Sequence, residues 1–262
     1  RYDDFAGFLA QNGIAVAAAD MASHGKSISE NGIRGYFGPE NGWDRLIDDA
    51  LSVHNVIKQA YPSVPCFLLG HSMGSFLARS YAARHGDDID AFVFCGTAGH
   101  NPVMPIAKLI ANAEIKRTGG DVPSKKLDSL AFGAYNKPFE QRTTFDWLSA
   151  NQANVDRYIA DPLCGFTFTA AAFRDLFTGL SEVSRKDWAA NVPNRPILVI
   201  AGDKDPVGSM GKGTTEVAGR LLNSGHDVIL KLYPGMRHEI LNETGKKKVW
   251  QDVLDFLNAQ IG

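Results

Sequence analysis

Short apolar runs alternate along this chain with longer stretches in which apolar residues recur every three or four positions. The runs cover residues 14–19, 66–69, 91–95, 196–201 and 227–233. Short runs bounded by glycine, proline or aspartate are typical of strands, and the longer spacing is typical of amphipathic helices. Their alternation predicts an α/β fold, a mostly parallel sheet with helices on both faces.

The first run, residues 14–19, consists of apolar residues only. A parallel strand covered on both faces has this composition, so we expect a buried strand here. The glycine-rich segment 31–42 is expected to be a loop. Outside the middle of the chain, the predicted helices cover residues 1–12, 43–57, 74–85, 212–223 and 244–260.

The alternation stops after Gly96, and residues 97–190 contain no convincing strand pattern. We expect this segment to be a helical cap inserted into an α/β core formed by residues 1–96 and 191–262. Its many apolar and aromatic side chains either pack the cap onto the sheet or form a tunnel for an acyl chain. The helices predicted in the cap cover 103–117, 123–132, 140–149, 151–160, 169–178 and 183–190.

Residues 70–74 read Gly-His-Ser-Met-Gly and connect the second predicted strand to a predicted helix. In this context the G-x-S-x-G pattern is a nucleophile elbow, a sharp turn that holds the serine oxygen clear of the backbone. Flanking glycines relieve the crowding of such a turn. Ser72 is therefore the predicted nucleophile, and the Met73 N–H at the helix start is a predicted oxyanion donor.

A serine hydroxyl needs an adjacent base, and the base needs a carboxylate that orients it. His238 follows the last predicted strand and is the candidate base. The other six histidines lie before or beside the nucleophile, on helices, at the start of the cap or at the wrong edge of the sheet. Asp203 and Asp205 both follow the fourth run. We prefer Asp205 as the acid, because Asp203 beside Gly202 suits a turn-forming role.

Composition and charge narrow the classes of function. The formal net charge of −2 gives no sign of a nucleic-acid partner. No run of 18 apolar residues is present that would predict a transmembrane helix. The cysteines Cys66, Cys95 and Cys164 are odd in number, which predicts reduced thiols in a cytoplasmic protein. No metal or organic cofactor is expected for this chemistry.

Together with the elbow, several motifs resemble the monoglyceride lipase and lysophospholipase branch of the α/β-hydrolases, often described as serine aminopeptidase-like. They are Arg1-Tyr2, Asp20 with the His-Gly-Lys-Ser of 24–27, the segment 160–166, Gly-Asp-Lys-Asp-Pro-Val at 202–207 and Gly-Met-Arg-His-Glu at 235–239. The resemblance runs from residue 1 to the end of the chain. It implies the α/β-hydrolase fold, a Ser72–Asp205–His238 triad and an acyl ester that enters beneath the cap.

Substrate contacts are expected at His71, Met104 and Phe166.

In the resembled family a His-Gly motif just before the position of Arg1 supplies the second oxyanion donor. That motif and the strands before it are not in this sequence, which starts without Met. We therefore expect a longer natural chain, with about 30–40 further residues at its amino end.

These observations predict a serine hydrolase that cleaves carboxylic esters of glycerol-type lipids, a monoacylglycerol or a lysophospholipid, through an acyl-enzyme. Two alternatives stay open. The same triad cleaves peptides or small esters, and a binding protein without activity is compatible with the same fold. The apolar cap predicts transient contact with lipid aggregates, so a cytoplasmic location includes attachment at the membrane periphery.

Overall fold

The computed structural model describes residues 1–28 and 32–261. Within these residues one sheet is formed by four strands in the order β1-β2-β3-β4, and every neighbouring pair is parallel. Their carboxyl ends meet at one edge of the sheet, where ligand sites of open α/β sheets lie. The strands are β1 (Phe67–His71), β2 (Ala91–Cys95), β3 (Ile197–Gly202) and β4 (Val228–Tyr233).

The same part of the chain contains nine α-helices, each of which overlaps a predicted helical stretch. None of these helices has the length and apolarity needed to cross a bilayer. The helices are α1 (Asp3–Gln11), α2 (Gly42–Ala60), α3 (Met73–His85), α4 (Met104–Thr118), α5 (Lys125–Phe132), α6 (Gln152–Ala160), α7 (Ala170–Val183), α8 (Lys212–Asn223) and α9 (Lys246–Asn258).

Strand β2 illustrates how the sheet is covered on both faces. Phe92 and Phe94 belong to the core cluster that includes side chains of α2, α3 and α7. Val93 and Cys95 belong to a second cluster, formed with α1 and α9. Because successive strand side chains point to opposite faces, the continuous apolar run of β2 is buried on both sides. This is the layered arrangement that the apolar runs predict.

The predicted strand at residues 14–19 is wrong. The structure assigns no strand there, and Val16 is 45% exposed. Among the described residues β1 is an edge strand of the sheet, and no strand lies beside 14–19. An apolar run becomes a buried strand only where a neighbouring strand accepts its hydrogen bonds and helices cover its faces.

The predicted helix at 140–149 is also wrong, since only a 3₁₀ turn forms there, at Asp146–Leu148. The Asp146 carboxylate accepts hydrogen bonds from the backbone N–H of Thr143 at 2.8 Å and from its hydroxyl at 2.7 Å. Local bonds of this kind stabilise a turn at the expense of a helix. The hydrogen bonds between Asp146 and Thr143 therefore favour a turn in a segment whose apolar spacing predicts a helix.

Two further boundaries differ from the predictions. Helix α7 continues to Val183, and the helix predicted over 183–190 is reduced to a 3₁₀ turn at Ala189–Asn191. The predicted loop over 31–42 begins outside the described residues, and 32–41 contain no helix or strand.

Between β2 and β3 the chain forms helices α4 to α7. Helix α4 packs on α7, and α7 packs on α3. Residues 97–190 are called the cap below.

Candidate active site

Ser72 occupies the turn between β1 and α3. Its backbone has φ 57° and ψ −125°, in a region that a residue with a Cβ rarely adopts. Hydrogen bonds hold the turn on both sides of this residue. The Ser72 N–H donates to the carbonyl of Cys95 at 3.0 Å, and the carbonyl of Ser72 accepts the Ser75 hydroxyl at 2.6 Å and the Ser75 N–H at 2.8 Å. The strained geometry expected of a nucleophile elbow is thus present at the predicted serine.

The two flanking glycines have different roles. A Cβ on Gly70 would overlap the carbonyl oxygen of Gly74, because the end of β1 packs directly against the first turn of α3. A Cβ on Gly74 would meet no atom within 4 Å. The sequence motif led us to expect that both glycines relieve crowding, but crowding requires glycine at position 70 only.

Met73 is the first residue of α3. The first N–H groups of a helix have no partner within the helix, and the helix dipole adds partial positive charge at this end. An anion beside Ser72 would meet these groups. The position of Met73 therefore suits the predicted role of its N–H as an oxyanion donor.

His238 lies in the loop after β4, and its Nδ1–H donates to the Asp205 carboxylate at 3.0 Å. Both side chains are buried, with exposed fractions of 2% and 0%. The other Asp205 oxygen accepts the N–H of Val207 at 2.9 Å. A carboxylate held in this way fixes the imidazole orientation and leaves Nε2 as the proton acceptor.

Asp203, the alternative acid, binds the backbone instead. Its carboxylate accepts the N–H of Gly235 at 2.8 Å and so ties the loop after β4 to the loop after β3. Gly202 permits this approach, since a Cβ there would overlap the carbonyl oxygens of Met236 and Arg237. The geometry therefore pairs His238 with Asp205, as preferred from the sequence.

Ser72 and His238 line the same cavity, but they are not hydrogen-bonded in this conformation. Nε2 of His238 is buried and has no hydrogen-bond partner within residues 1–28 and 32–261. Catalytic hydrogen bonds are often long in the absence of substrate and shorten when it binds. Within the described part of the chain, the arrangement thus leaves Nε2 unpaired in a residue that lines the same cavity as the serine.

His71, an expected substrate contact, lines the cavity but uses both ring nitrogens within the protein. Tyr2 donates its hydroxyl hydrogen to Nδ1 at 2.8 Å, and Nε2–H donates to the carbonyl of His238 at 3.0 Å. Burial, followed by the nearby His238 ring, lowers the pKa of His71 to about 3. The side chain is therefore a neutral support for the His238 loop. The sequence did not reveal the contact with Tyr2.

The cavity has a volume of about 1510 Å³. Ser72 and His238 lie in its wall, as do Met104 and Phe166, the other two expected substrate contacts. Much of the remaining wall is aromatic and comes from the cap. These aromatic residues are Phe132, Tyr135, Phe145, Trp147, Tyr158, Phe168 and Phe177.

The loop that carries His238 is fastened to the cap by Arg237. One guanidinium nitrogen donates to the carbonyl of Asp146 at 2.7 Å, and another donates to both carboxylate oxygens of Glu140 at 2.8 and 2.9 Å. The guanidinium holds the pKa of Glu140 below its usual value. It also lies 4.1 Å from the ring centroid of Phe139.

Glu243 forms a second attachment between this loop and the cap. Its carboxylate accepts the N–H of Ala150 at 2.8 Å and that of Arg237 at 3.0 Å. The Glu239 N–H adds a bond to the carbonyl of Leu148 at 2.7 Å. These attachments were not predicted from the sequence, although the charged residues beside His238 in 235–239 are a signal of them.

The chain matches the family described as "Serine aminopeptidase, S33" (Hydrolase_4) over residues 1–245. It is 28% identical over 263 residues to a monoacylglycerol lipase of Mycolicibacterium smegmatis, an alignment that covers 100% of this chain and 84% of the relative. It is also 28% identical over 267 residues to the monoglyceride lipase of Rattus norvegicus, covering 100% of this chain and 77% of that protein.

Solved structures show the same similarity. A thermostable carboxyl esterase from Bacillus coagulans, determined in complex with glycerol, is 32% identical and superposes with a TM-score of 0.94 over 100% of this chain and 86% of its own. A lipase in its open form is 26% identical, with a TM-score of 0.89 over 99% of this chain and 86% of its own. The predicted α/β-hydrolase fold is confirmed, and the chain belongs to the serine aminopeptidase S33 family.

Proposed function

We propose that this chain hydrolyses carboxylic esters of glycerol-type lipids, monoacylglycerols or lysophospholipids, through an acyl-enzyme on Ser72. The coarser prediction, a serine ester hydrolase, is confirmed by the family match and by the lipase and esterase relatives. The observation that carries the finer proposal is the strained Ser72 turn, which opens into the same cavity as the buried Asp205–His238 pair.

The residues suit a two-step acyl transfer. His238 Nε2 takes the hydroxyl proton as Ser72 attacks the ester carbonyl, and Asp205 stays ionised and holds the imidazolium. The Met73 N–H stabilises the oxyanion. His238 then gives the proton to the departing alcohol. Water repeats these steps on the acyl-enzyme, so that the carboxylic acid leaves and Ser72 regains its hydroxyl hydrogen.

The choice of a lipid substrate is supported by the cavity and by the relatives. A drug-sized ligand occupies a pocket of about 300–1,000 Å³, and the cavity here is larger and lined by apolar side chains of the cap. The Bacillus coagulans esterase binds glycerol in its structure. We propose that residues 97–190 enclose the acyl chain as a cap on a core formed by 1–96 and 191–262.

The nucleophile is tested by Ser72→Ala in assays of a monoacylglycerol, a lysophospholipid, a p-nitrophenyl butyrate and a proline amide. We expect hydrolysis of the preferred substrate to fall by at least about 10³-fold, since the substitution removes the hydroxyl that attacks the ester carbonyl. Ser52→Ala is the matched control, because Ser52 is exposed on α2 and donates only to the carbonyl of Asp48. Equal activity of the Ser72 and Ser52 variants would contradict the mechanism.

The family description favours one competing function, cleavage of an amino-terminal peptide bond. The same triad chemistry opens amides. Preference for the proline amide over both lipid esters would support this alternative, and preference for p-nitrophenyl butyrate alone would support a small-ester hydrolase. A chain that binds these substrates without cleaving any of them would instead be a binding protein.

We further propose that α4 contacts lipid aggregates. Three apolar residues, spaced three positions apart at the start of α4, are exposed. Val103 precedes the helix and is 52% exposed, and Ile106 and Leu109 lie on it and are 60% and 68% exposed. Leu109 does not line the cavity. Leu109→Glu should therefore weaken sedimentation with phosphatidylcholine vesicles and leave p-nitrophenyl butyrate hydrolysis unchanged. Val56→Glu on α2, at a residue that is 67% exposed, is the control. A cytoplasmic location stays a prediction.

A further inference from the structure

The imidazole of His238 lies against two aromatic rings from different parts of the chain. The ring centroid of His71, at the end of β1, is 4.6 Å away with an interplanar angle of 38°. The ring centroid of Trp147, in the cap, is 5.1 Å away with an angle of 39°. These separations are those of stacked or tilted aromatic pairs in contact. A protonated His238 would therefore be in contact with both rings.

The His71 ring adds no charge to this pair of contacts. Its Nδ1 accepts the Tyr2 hydroxyl hydrogen, and its Nε2–H is bound to the His238 carbonyl. Burial lowers its pKa to about 3, so the ring is neutral at neutral pH. Trp147 has the more strongly negative ring face, and indole is the best partner for a cation among the aromatic side chains.

Trp147 is held in position by the cap itself. Its backbone N–H donates to the Asn136 side-chain carbonyl at 2.9 Å, and its ring packs on Tyr135 at a centroid distance of 5.2 Å. The preceding residue, Asp146, offers its carbonyl to Arg237, the neighbour of His238. The contact between the two rings is thus built into the folded chain and does not depend on a substrate.

Few charges compete with this contact. Asp205, after β3, is hydrogen-bonded to the imidazole through Nδ1, and this contact is the same in the wild type and in the Trp147 variants. Glu239 directs its carboxylate to Asn154 and Arg1. Cys95, at the end of β2, stays a thiol, because burial raises its pKa well above the usual value. Burial raises the pKa of Tyr135 in the cap to about 12, so this phenol is also neutral.

We propose that Trp147 is a positioning residue that packs at a tilt against the His238 imidazole and stabilises its protonated form. The inference rests on the proposed function, in which His238 becomes an imidazolium when Ser72 attacks. The cap then does more than enclose the substrate, since it supplies a group that assists the base. Trp147 acts through His238 and takes no proton itself.

The test compares Trp147→Leu, which removes the aromatic face, with Trp147→Phe, which keeps a weaker one. The pH dependence of kcat/KM for p-nitrophenyl butyrate reports the protonation of the free enzyme. Without the ring the imidazolium is less stable, so the acid limb should move to lower pH by about 0.5–1 unit in the Leu variant and by less in the Phe variant. Above that limb, kcat/KM should fall about 3- to 10-fold for Leu, the factor that corresponds to this shift.

A second readout is independent of hydrolysis. The ¹³Cε1–¹H signal of His238 is titrated by NMR in each variant and again in the Ser72→Ala background. His85 is the internal reference, because it lies at the other end of α3 from Ser72 and its ring packs on Tyr81. The titration midpoint of His238 should move down by the same amount, and that of His85 should not. Should the Leu variant fail to fold, the Phe variant carries the test with its smaller shift.

The two proposals fail in different ways. An unmoved His238 midpoint in the Trp147 variants, or equal shifts for Phe and Leu, would show that the indole acts by packing alone and would overturn this inference. Full hydrolysis by Ser72→Ala would overturn the proposed function, whereas the NMR titration would still measure the interaction of Trp147 with His238.

Discussion

Arg237→Met tests how the cap is attached to the loop of the proposed base. The side chain of Arg237 is 11% exposed and its ion-pair partner Glu140 is 62% exposed. The substitution keeps the apolar stem and removes the guanidinium. It leaves the carbonyl of Asp146, which accepts a 2.7 Å bond, without this donor. We expect both stability and the placement of His238 to suffer.

The magnitude follows from the separate contacts. The bond to the Asp146 carbonyl is charge-assisted and contributes about 1.5–3 kcal/mol, while an exposed ion pair such as that with Glu140 contributes at most about 1 kcal/mol. Contact with the Phe139 ring, 4.1 Å from the guanidinium carbon, adds about 0.5–1 kcal/mol. The predicted loss is about 3–4 kcal/mol, or roughly 10 °C in thermal midpoint for a chain of this size.

Thermal unfolding followed by circular dichroism measures this loss, and kcat/KM for p-nitrophenyl butyrate measures the disturbance of the site. Glu140→Gln removes only the exposed partner and should cost less than about 1 kcal/mol. Arg185→Met is the matched control, because Arg185 pairs with Asp187 while both are more than half exposed. If Glu140→Gln costs as much as Arg237→Met, the ion pair attaches the loop to the cap and the bond to the Asp146 carbonyl does not.

Three further changes give distinct expectations. Gly70→Ala should cost about 3 kcal/mol in urea unfolding, because its Cβ overlaps the Gly74 carbonyl, whereas Gly74→Ala should be neutral or stabilising by up to about 1 kcal/mol; equal effects would contradict the packing described. Gly202→Ala should displace the His238 loop and lower kcat/KM. Gly219→Ala is the control and should leave kcat/KM unchanged, because a Cβ there meets nothing within 4 Å. Between its ordinary pKa of 6.5 and its folded value of about 3, His71 is protonated only in the unfolded chain, so stability should fall as pH drops through this window, by up to about 1.4 kcal/mol per unit. His71→Gln should lack this slope in urea unfolding at pH 7 and pH 5.

Local patterns predicted most of the secondary structure because these elements bury their own apolar residues. Strand β2 was predicted over 91–95 and has these bounds, since all five of its residues are apolar and buried. The elbow at Ser72 was equally predictable, because its backbone geometry is imposed by neighbours within a few positions. Asp205 and His238 were chosen because each follows a late predicted strand, and the family resemblance implied the same pair. The structure brings these two side chains into hydrogen-bond contact.

Predictions failed where the outcome depended on distant partners. Residues 14–19 have the composition of a buried strand, but no described strand pairs with them. Residues 140–149 have helical spacing, but Asp146 binds Thr143 and its carbonyl binds Arg237. Neither competition is visible in a local pattern, because each is decided by which groups meet when the chain is folded.

The amino-acid sequence alone determined the α/β layering, the strained serine turn and the chemical types needed for acyl transfer, since periodicity and motif spacing encode them locally. Only the tertiary structure decided that His71 is a neutral support, that Arg237 and Glu243 fasten the His238 loop to the cap, and that Trp147 reaches the imidazole. These contacts join residues far apart in the chain. Their distances and burial exist only in the folded chain.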